Sequence, residues 1–367
     1  MTLDAVCDII RKYYTIVTIL QQKGQKFKSV KKIRIRFPII FSVGLFIIFI
    51  GASIGFWFYY YTITPVEASG KIATVWIRPG QTFFETLAQL KKARLIRSPK
   101  KFRWLAYLKG HERQIRAGEY ELSSAMSPGE ILNTLVHGRI VLHKVVVPEG
   151  VTVSKIGKLL DEAGLIQQEV FYKTATTSSL VSNFGFEVDS LEGYLFPETY
   201  FFPKGVSAKQ VIKKMVDQFR AAFTQAWLKR AKEIGLTTHE VVTLASIVEK
   251  ETAKSEERPL IAAVFLNRLK QNMRLESDPT VIYGMKSFEG NITRKDLKAL
   301  TPYNTYRIKG LPPGPIANPG KASIEAILYP AKKPYLYFVS KNNGSHHFSS
   351  TFSEHKKMVQ KYQLHHR

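Results

Sequence analysis

The stretch Val241-Val-Thr-Leu-Ala-Ser-Ile-Val-Glu-Lys-Glu-Thr252 reads as a helix whose apolar stripe contains a carboxylate. At about 100° per residue, Val241, Leu244, Ile247, Val248 and Glu251 share one face, and Glu249 points well away from it. Apolar surroundings remove solvation from a charged carboxyl, so Glu251 is expected to keep its proton to near-neutral pH, as a general acid must. A partly solvated or ion-paired glutamate fits the same periodicity, so the neighbourhood has to decide.

Working outward, Thr237 and Glu240 have the spacing of a capping box and start this helix. After a polar turn, Pro259 opens a second helix, Leu260-Ile-Ala-Ala-Val-Phe-Leu-Asn-Arg-Leu269, in which Asn267 stands among apolar neighbours. Asp278-Pro-Thr280 with Tyr283, then the loops Thr301-Pro-Tyr-Asn-Thr-Tyr306 and Gly310-Leu-Pro-Pro-Gly-Pro-Ile316, add hydroxyls, amides and rings. Such loops beside a helix-borne carboxyl are how a polysaccharide cleft is built. Upstream, Leu191-Glu-Gly-Tyr-Leu-Phe-Pro-Glu-Thr-Tyr-Phe-Phe202 reads as an extended aromatic stretch, which suits a core strand as well as a sugar platform.

Further upstream the chain repeats itself at an offset of 70. Val75-Trp-Ile-Arg-Pro-Gly80-Gln-Thr82 is echoed by Val145-Val-Val-Pro-Glu-Gly150-Val-Thr152, and Leu95-Ile96 by Leu165-Ile166. Each copy predicts a strand, a tight glycine turn, a threonine N-cap and an amphipathic helix. Arg116-Ala-Gly-Glu-Tyr-Glu-Leu122 predicts a further strand and Ser127-Pro-Gly-Glu-Ile-Leu-Asn-Thr-Leu135 a capped helix.

Residues 37–61 carry no charge and exceed the roughly 20 positions needed to cross a bilayer as a helix. Nine Lys and Arg against Asp4 and Asp8 in residues 1–36 place the N-terminus in the cytosol and everything after Tyr61 outside. A cleaved signal peptide is the competing reading, but the leader and the apolar run are both too long for one. The single cysteine, Cys7, lies on the cytosolic side, so the exported part has no disulfide and relies on its cores. Of the net charge of +25, residues 1–36 account for +7, and +18 remains on the rest. A basic extracytoplasmic surface suits acidic lipid headgroups or an acidic wall polymer, and no motif supports nucleic acid as a partner. His346, His347 and His355 lack metal-ligand spacing, and no phosphate-binding loop or serine elbow occurs, so neither metal nor cofactor is expected.

Taken in order, Leu191–Thr199, Ala245–Thr252, Val264–Leu269, Leu275–Gly284, Tyr303–Tyr306, Gly310–Ile316 and Pro334–Phe338 resemble the blocks of the MltG (YceG-like) family, membrane-anchored endolytic murein transglycosylases of bacteria. The first repeat copy also resembles the LysM glycan-binding module over about 20 residues, where a structural spacer fits equally well. The resemblance implies an α+β protein with a basic cytosolic tail (1–36), one transmembrane helix (37–61), a linker (62–70), a LysM-like α+β subdomain (71–144) and a mixed catalytic domain (145–367). It implies cleavage of peptidoglycan strands at the cytoplasmic membrane near penicillin-binding synthases, with anhydro-muramic ends as product. Glu251 then maps to the catalytic acid/base, with Glu249 as runner-up and neighbouring charge. Glu198, Asn267, Asp278, Tyr303, Asn304 and Tyr306 map to the cleft, where each also fits a structural polar role. A lysozyme-like hydrolase and a non-enzymatic glycan-binding scaffold remain as alternatives.

Overall fold

The computed structural model describes residues 11, 12, 15, 18, 30–285, 287, 288 and 290–364, with backbone alone over 30–39. Of the expected cytosolic tail, 1–36, residues 11, 12, 15 and 18 and the backbone of 30–36 are described, and the rest lies outside the described residues. The chain is a mixed α+β protein forming two compact units: Met1–Ile72 with Leu87–Arg113 and Ser123–Asn133, and Ala73–Thr86 with Gln114–Leu122 and Thr134–Arg367.

The first long element, α1 (Val30–Ile63), contains in Ile40–Ile63 a helix long and apolar enough to cross a membrane. Its 24 residues span about 36 Å, against a hydrocarbon thickness of about 30 Å. The segment after it is not a free linker. Arg97 donates to the carbonyls of Pro65 (3.0 Å) and Val66 (2.9 Å), and the Glu67 amide donates to Ser124 O (3.2 Å).

Next come β1 (Ile72–Ile77), α2 (Phe83–Lys92), α3 (Pro99–Leu108), β2 (Gly118–Ser123), α4 (Pro128–His137), β3 (Leu142–Val146), α5 (Val153–Glu162), α6 (Gln168–Thr176), α7 (Ser178–Val181) and β4 (Thr199–Pro203). The internal repeat is thereby a repeat of structure. Strand, two helices and a returning strand occur twice, β1–α2–α3–β2 and β3–α5–α6–β4, and α5 lies 70 residues from α2 at both ends. Strand β3 pairs antiparallel with β4, from Leu142↔Pro203 to Val146↔Thr199, and β1 lies beside β2. The caps repeat as well. Thr82 and Thr152 cap α2 and α5, accepting from the amides of Glu85 and Lys155, and the glycine turns before them have φ 78° at Gly80 and 73° at Gly150. Both helices end in a left-handed residue, Arg94 (φ 56°) and Gly164 (φ 66°), with the same closing bond, Leu95 N to Leu90 O and Leu165 N to Leu160 O.

The rest of the larger unit is mostly helical: α8 (Ala208–Ala222), α9 (Gln225–Glu233), α10 (Thr238–Glu251), α11 (Arg258–Lys270), α12 (Asp278–Gly284), α13 (Arg294–Lys298) and α14 (Lys321–Leu328). A hairpin of β5 (Tyr337–Ser340) and β6 (His346–Ser349), then α15 (Phe352–Val359), complete it. The Thr237–Glu240 capping box forms as expected. Beyond it, α10 differs from a one-sided amphipathic helix. All eight residues from Val241 to Val248 are buried, because α11, α12 and α14 pack around the helix and make it the centre of the core. Each large apolar side chain buried this way contributes about 1.5–3 kcal/mol. The aromatic stretch 191–202 also differs from expectation. Only Thr199 onward is strand, because Gly193 sits at φ 87° and turns the chain, with Pro315 and Val242 so close that a Cβ there would lie 2.5 Å from one and 2.8 Å from the other.

Candidate active site

Helix α10 ends at Glu251, and Thr252 is already extended. Half-buried at this end, Glu251 accepts a hydrogen bond on Oε1 from the Ser277 hydroxyl. Its other oxygen has no hydrogen-bond partner among the described residues. Burial pushes the carboxyl up to about 7, and the Asp278 charge adds to the rise, while the Ser277 bond and the Arg268 charge oppose it. A carboxyl that is roughly half protonated at neutral pH can both give and take a proton.

Ser277 is held from both sides. Its amide donates to Thr305 Oγ1 (2.9 Å), and its carbonyl accepts from Thr280 Oγ1 (2.6 Å). The 2.8 Å contact between those two threonine hydroxyls then has Thr305 as donor, so each proton in the chain has an assigned direction. The turn that delivers Ser277 is bent at Glu276, a non-glycine residue at φ 51°, a backbone state costing about 1–2 kcal/mol. Buried Arg268 clamps that turn, donating to Leu275 O (2.8 Å) and pairing with Glu276 (3.3 Å). Asp278 follows, with Tyr306 donating its hydroxyl to it at 2.7 Å.

Among the residues expected at the cleft, Glu251, Asp278 and Tyr306 thus come together. Asn304 supports them from below. Fully buried, it donates to the carbonyls of Asp296, Leu297 and Ala299 at the end of α13 and accepts the Tyr306 amide at 3.0 Å, which sets the turn carrying Tyr306. Tyr303 lies edge-to-face on Tyr283, with centroids 4.8 Å apart. Asn267 commits its amide to Lys333 O and Tyr335 O and so ties α11 to the segment before β5. Glu198 stands apart from this group, at the start of β4, where it accepts from Gln218 at 2.7 Å. Glu249 lies on another side of α10 with its side chain largely enclosed, paired with Arg258 at 3.0 Å and accepting the Gly320 amide at 2.9 Å. The negative charge that acts on Glu251 is that of Asp278.

The three histidines have separate partners. His346 bonds Glu257 at 2.6 Å, His347 approaches Glu354 at 3.6 Å, and His355 stacks on Tyr337. Among the described residues no three metal-ligating side chains converge.

Two parts of this arrangement were not singled out from the sequence. Ser277 reaches Glu251 only through the tertiary turn at 274–277, which Arg268 of α11 clamps while its charge acts on the same carboxyl. Glu192 carried the same signal as Glu251, a carboxyl within an apolar run. It is buried, and both of its oxygens accept from the Val153 amide (3.0 and 3.2 Å) at the start of α5, with Asn318 (3.0 Å) and Tyr283 (3.4 Å) completing the shell. Burial pushes its carboxyl up to about 8 against those bonds. Enclosed on all its acceptor sites, Glu192 links the Tyr283–Tyr303 pair to the second repeat copy. Glu251 differs in having an oxygen left for a ligand.

The model of the YceG-like family matches residues 75–361. The chain belongs to the YceG-like family. Among YceG-like relatives, the endolytic murein transglycosylase of Bacillus subtilis (strain 168) is 34% identical over 317 residues, covering 82% of this chain and 88% of that protein. The endolytic murein transglycosylase of Streptococcus pneumoniae (serotype 2, strain D39) is 31% identical over 360 residues, 88% of this chain and 64% of a longer relative. A crystal structure of a yceG-like protein from Listeria monocytogenes, 34% identical, superposes with a TM-score of 0.55 over 79% of this chain and all of that one. The YceG-like segment starts within β1 and takes in both repeat copies and the Glu251 group.

Proposed function

We propose that this chain is an endolytic murein transglycosylase with Glu251 as its single acid/base. The observation that carries the reading is the pairing of raised proton affinity with an open oxygen at Glu251, in a chain whose relatives bear that name. Protonated Glu251 gives its proton to the glycosidic oxygen between N-acetylmuramic acid and N-acetylglucosamine, and the C1–O bond breaks. The carboxylate then takes the proton of the muramic acid C6 hydroxyl as that oxygen bonds to C1. The product is a 1,6-anhydro end, no water is consumed, and the enzyme regains its starting protonation state. Ser277 orients the carboxyl, and Asp278, held by Tyr306, disfavours its early ionisation.

The apolar segment of α1 supports anchoring in the cytoplasmic membrane by a single pass, with residues 1–36 in the cytosol and the rest outside. The first repeat copy is read as a LysM-like unit within 71–144, ahead of a catalytic domain from 145, both serving wall strands near their synthases. The β1–α2–α3–β2 order supports this reading.

The test is mass spectrometry of the fragments released from purified peptidoglycan by the full-length protein and by Glu251→Gln. Anhydro-muramic ends that disappear in the variant are expected. Reducing ends would reassign the chemistry to hydrolysis, with Asp278 as a second carboxylate. No cleavage beside an active control would leave a glycan-binding scaffold.

A further inference from the structure

The helix α3 presents an unusual face. Phe102, Leu105 and Ala106 are buried, and on the opposite side Lys100, Arg103, Trp104 and Tyr107 lie within an arc of about 100°. Trp104 is 61% exposed and Tyr107 63%, with their rings edge-to-face at 6.0 Å. The surrounding segment 87–113 holds nine Lys and Arg against one acid, Glu112, which pairs with Arg103 at 3.5 Å.

The start of this helix is fastened to the last turns of α1. Tyr61 donates its hydroxyl to Ser98 O at 3.1 Å, and the Lys101 ammonium lies 3.3 Å from the centre of the Trp57 ring. Trp57 is six residues, or about 9 Å, before the end of α1, at the level where aromatic rings mark the boundary between hydrocarbon and headgroups. A basic helix with exposed aromatics at that level has the chemistry of an interfacial helix, its rings in the headgroup layer and its cations on lipid phosphates.

We propose that α3 is a second membrane contact, seated through Trp104 and Tyr107 on the anionic phospholipid surface around α1, with Lys100 and Arg103 binding headgroup phosphates. This rests on α1 as a membrane span. Continuity with α1 and the charge of the segment favour lipid over glycan as the occupant.

The test uses the full-length chain in nanodiscs of phosphatidylcholine with or without phosphatidylglycerol. The fluorescence difference between wild type and Trp104→Phe isolates Trp104, and headgroup-proximal brominated lipids report its contact with the bilayer. Strong quenching in phosphatidylglycerol discs is expected, at least halved, roughly, by Lys100→Glu with Arg103→Glu, two substitutions on exposed side chains. Co-elution with the discs reports the α1 anchor separately. A chain that stays out of the discs overturns the span and this contact together, whereas an anchored chain with Trp104 unquenched in both lipids overturns the α3 contact alone. Protection of 99–109 by soluble glycan strands, with no quenching in discs, would give the face to glycan.

Discussion

Ser277 and Glu251, 26 residues apart, meet through a hydroxyl–carboxyl hydrogen bond, and Asp278 beside it acts on the same carboxyl with the opposite sign. The two neighbours should therefore move its titration in opposite directions. Ser277→Ala removes a bond that favours the carboxylate, so the alkaline limb of the pH–rate profile moves up by about one unit. Asp278→Asn removes a charge that favours the proton, and the limb moves down. Limbs that shift together would separate both residues from Glu251.

The same carboxyl sets a pH dependence of stability. Its folded value of about 7 exceeds the ordinary 4.5, so the folded chain binds more protons than the unfolded one between those values. Wild-type stability therefore falls as pH rises through that window and stays lower above it. Glu251→Gln does not titrate, so it should be the more stable protein at pH 8, by an amount on the order of 3 kcal/mol, with the gap closing toward pH 4.5. Urea denaturation of both proteins at the two pH values measures it.

Glu249 and Glu251 should fail differently. Glu251→Gln should lose at least about a hundredfold in cleavage rate while remaining folded. Glu249→Ala leaves Arg258 with only its 3.7 Å contact to Glu149 and should lose about 1–3 kcal/mol of stability. Thermal unfolding run beside the peptidoglycan assay separates the two effects, and a stable but inactive Glu249→Ala would favour Glu249 as the acid.

Asn318 is wholly enclosed. It accepts the Leu195 amide at 2.9 Å and donates to Val151 O at 2.9 Å and Glu192 at 3.0 Å. Asn318→Ala leaves those groups buried without a partner and should cost at least about 3 kcal/mol in chemical denaturation. A loss below 1 kcal/mol would mean that water replaces the amide.

Arg94 and Gly164 occupy equivalent left-handed positions in the two repeat copies. Arg94→Gly should raise stability by about 1 kcal/mol, and Gly164→Ala should lower it by a similar amount. Melting temperatures that move in the same direction for both would contradict the equivalence.

Local signals were legible in the sequence. The charge-free run of α1, the Thr237–Glu240 cap and the 70-residue repeat each depend on neighbours within a few positions, or on two stretches of similar letters. The surroundings of Glu251 were legible only in outline. Its face on α10 followed from periodicity, but Ser277 reaches it by way of a clamp from Arg268, and no spacing encodes that turn. Asn267 and Asn304 illustrate a second difficulty. Both stood out as polar residues near the expected cleft, and both bond backbone carbonyls, a use that leaves no mark on residue type. Glu192 has the same signature as Glu251, a carboxyl within an apolar run, but nothing local distinguishes it from Glu198 in the aromatic stretch, because no residue type announces a left-handed Gly193 that folds its neighbour inward.

The two βααβ copies differ most in how they come home. Between α3 and β2 the chain uses nine residues, 109–117, whereas between α6 and β4 it uses 22, 177–198. The added length enters between the second helix and the returning strand, holds the short helix α7, and brings in Glu192, Gly193 and Tyr194. Slack in a connection is entropically cheap, since each doubling of a loop costs only about 0.6 kcal/mol. The return crossing is therefore where this frame takes up additional residues, and 109–117 is the matching connection in the first copy.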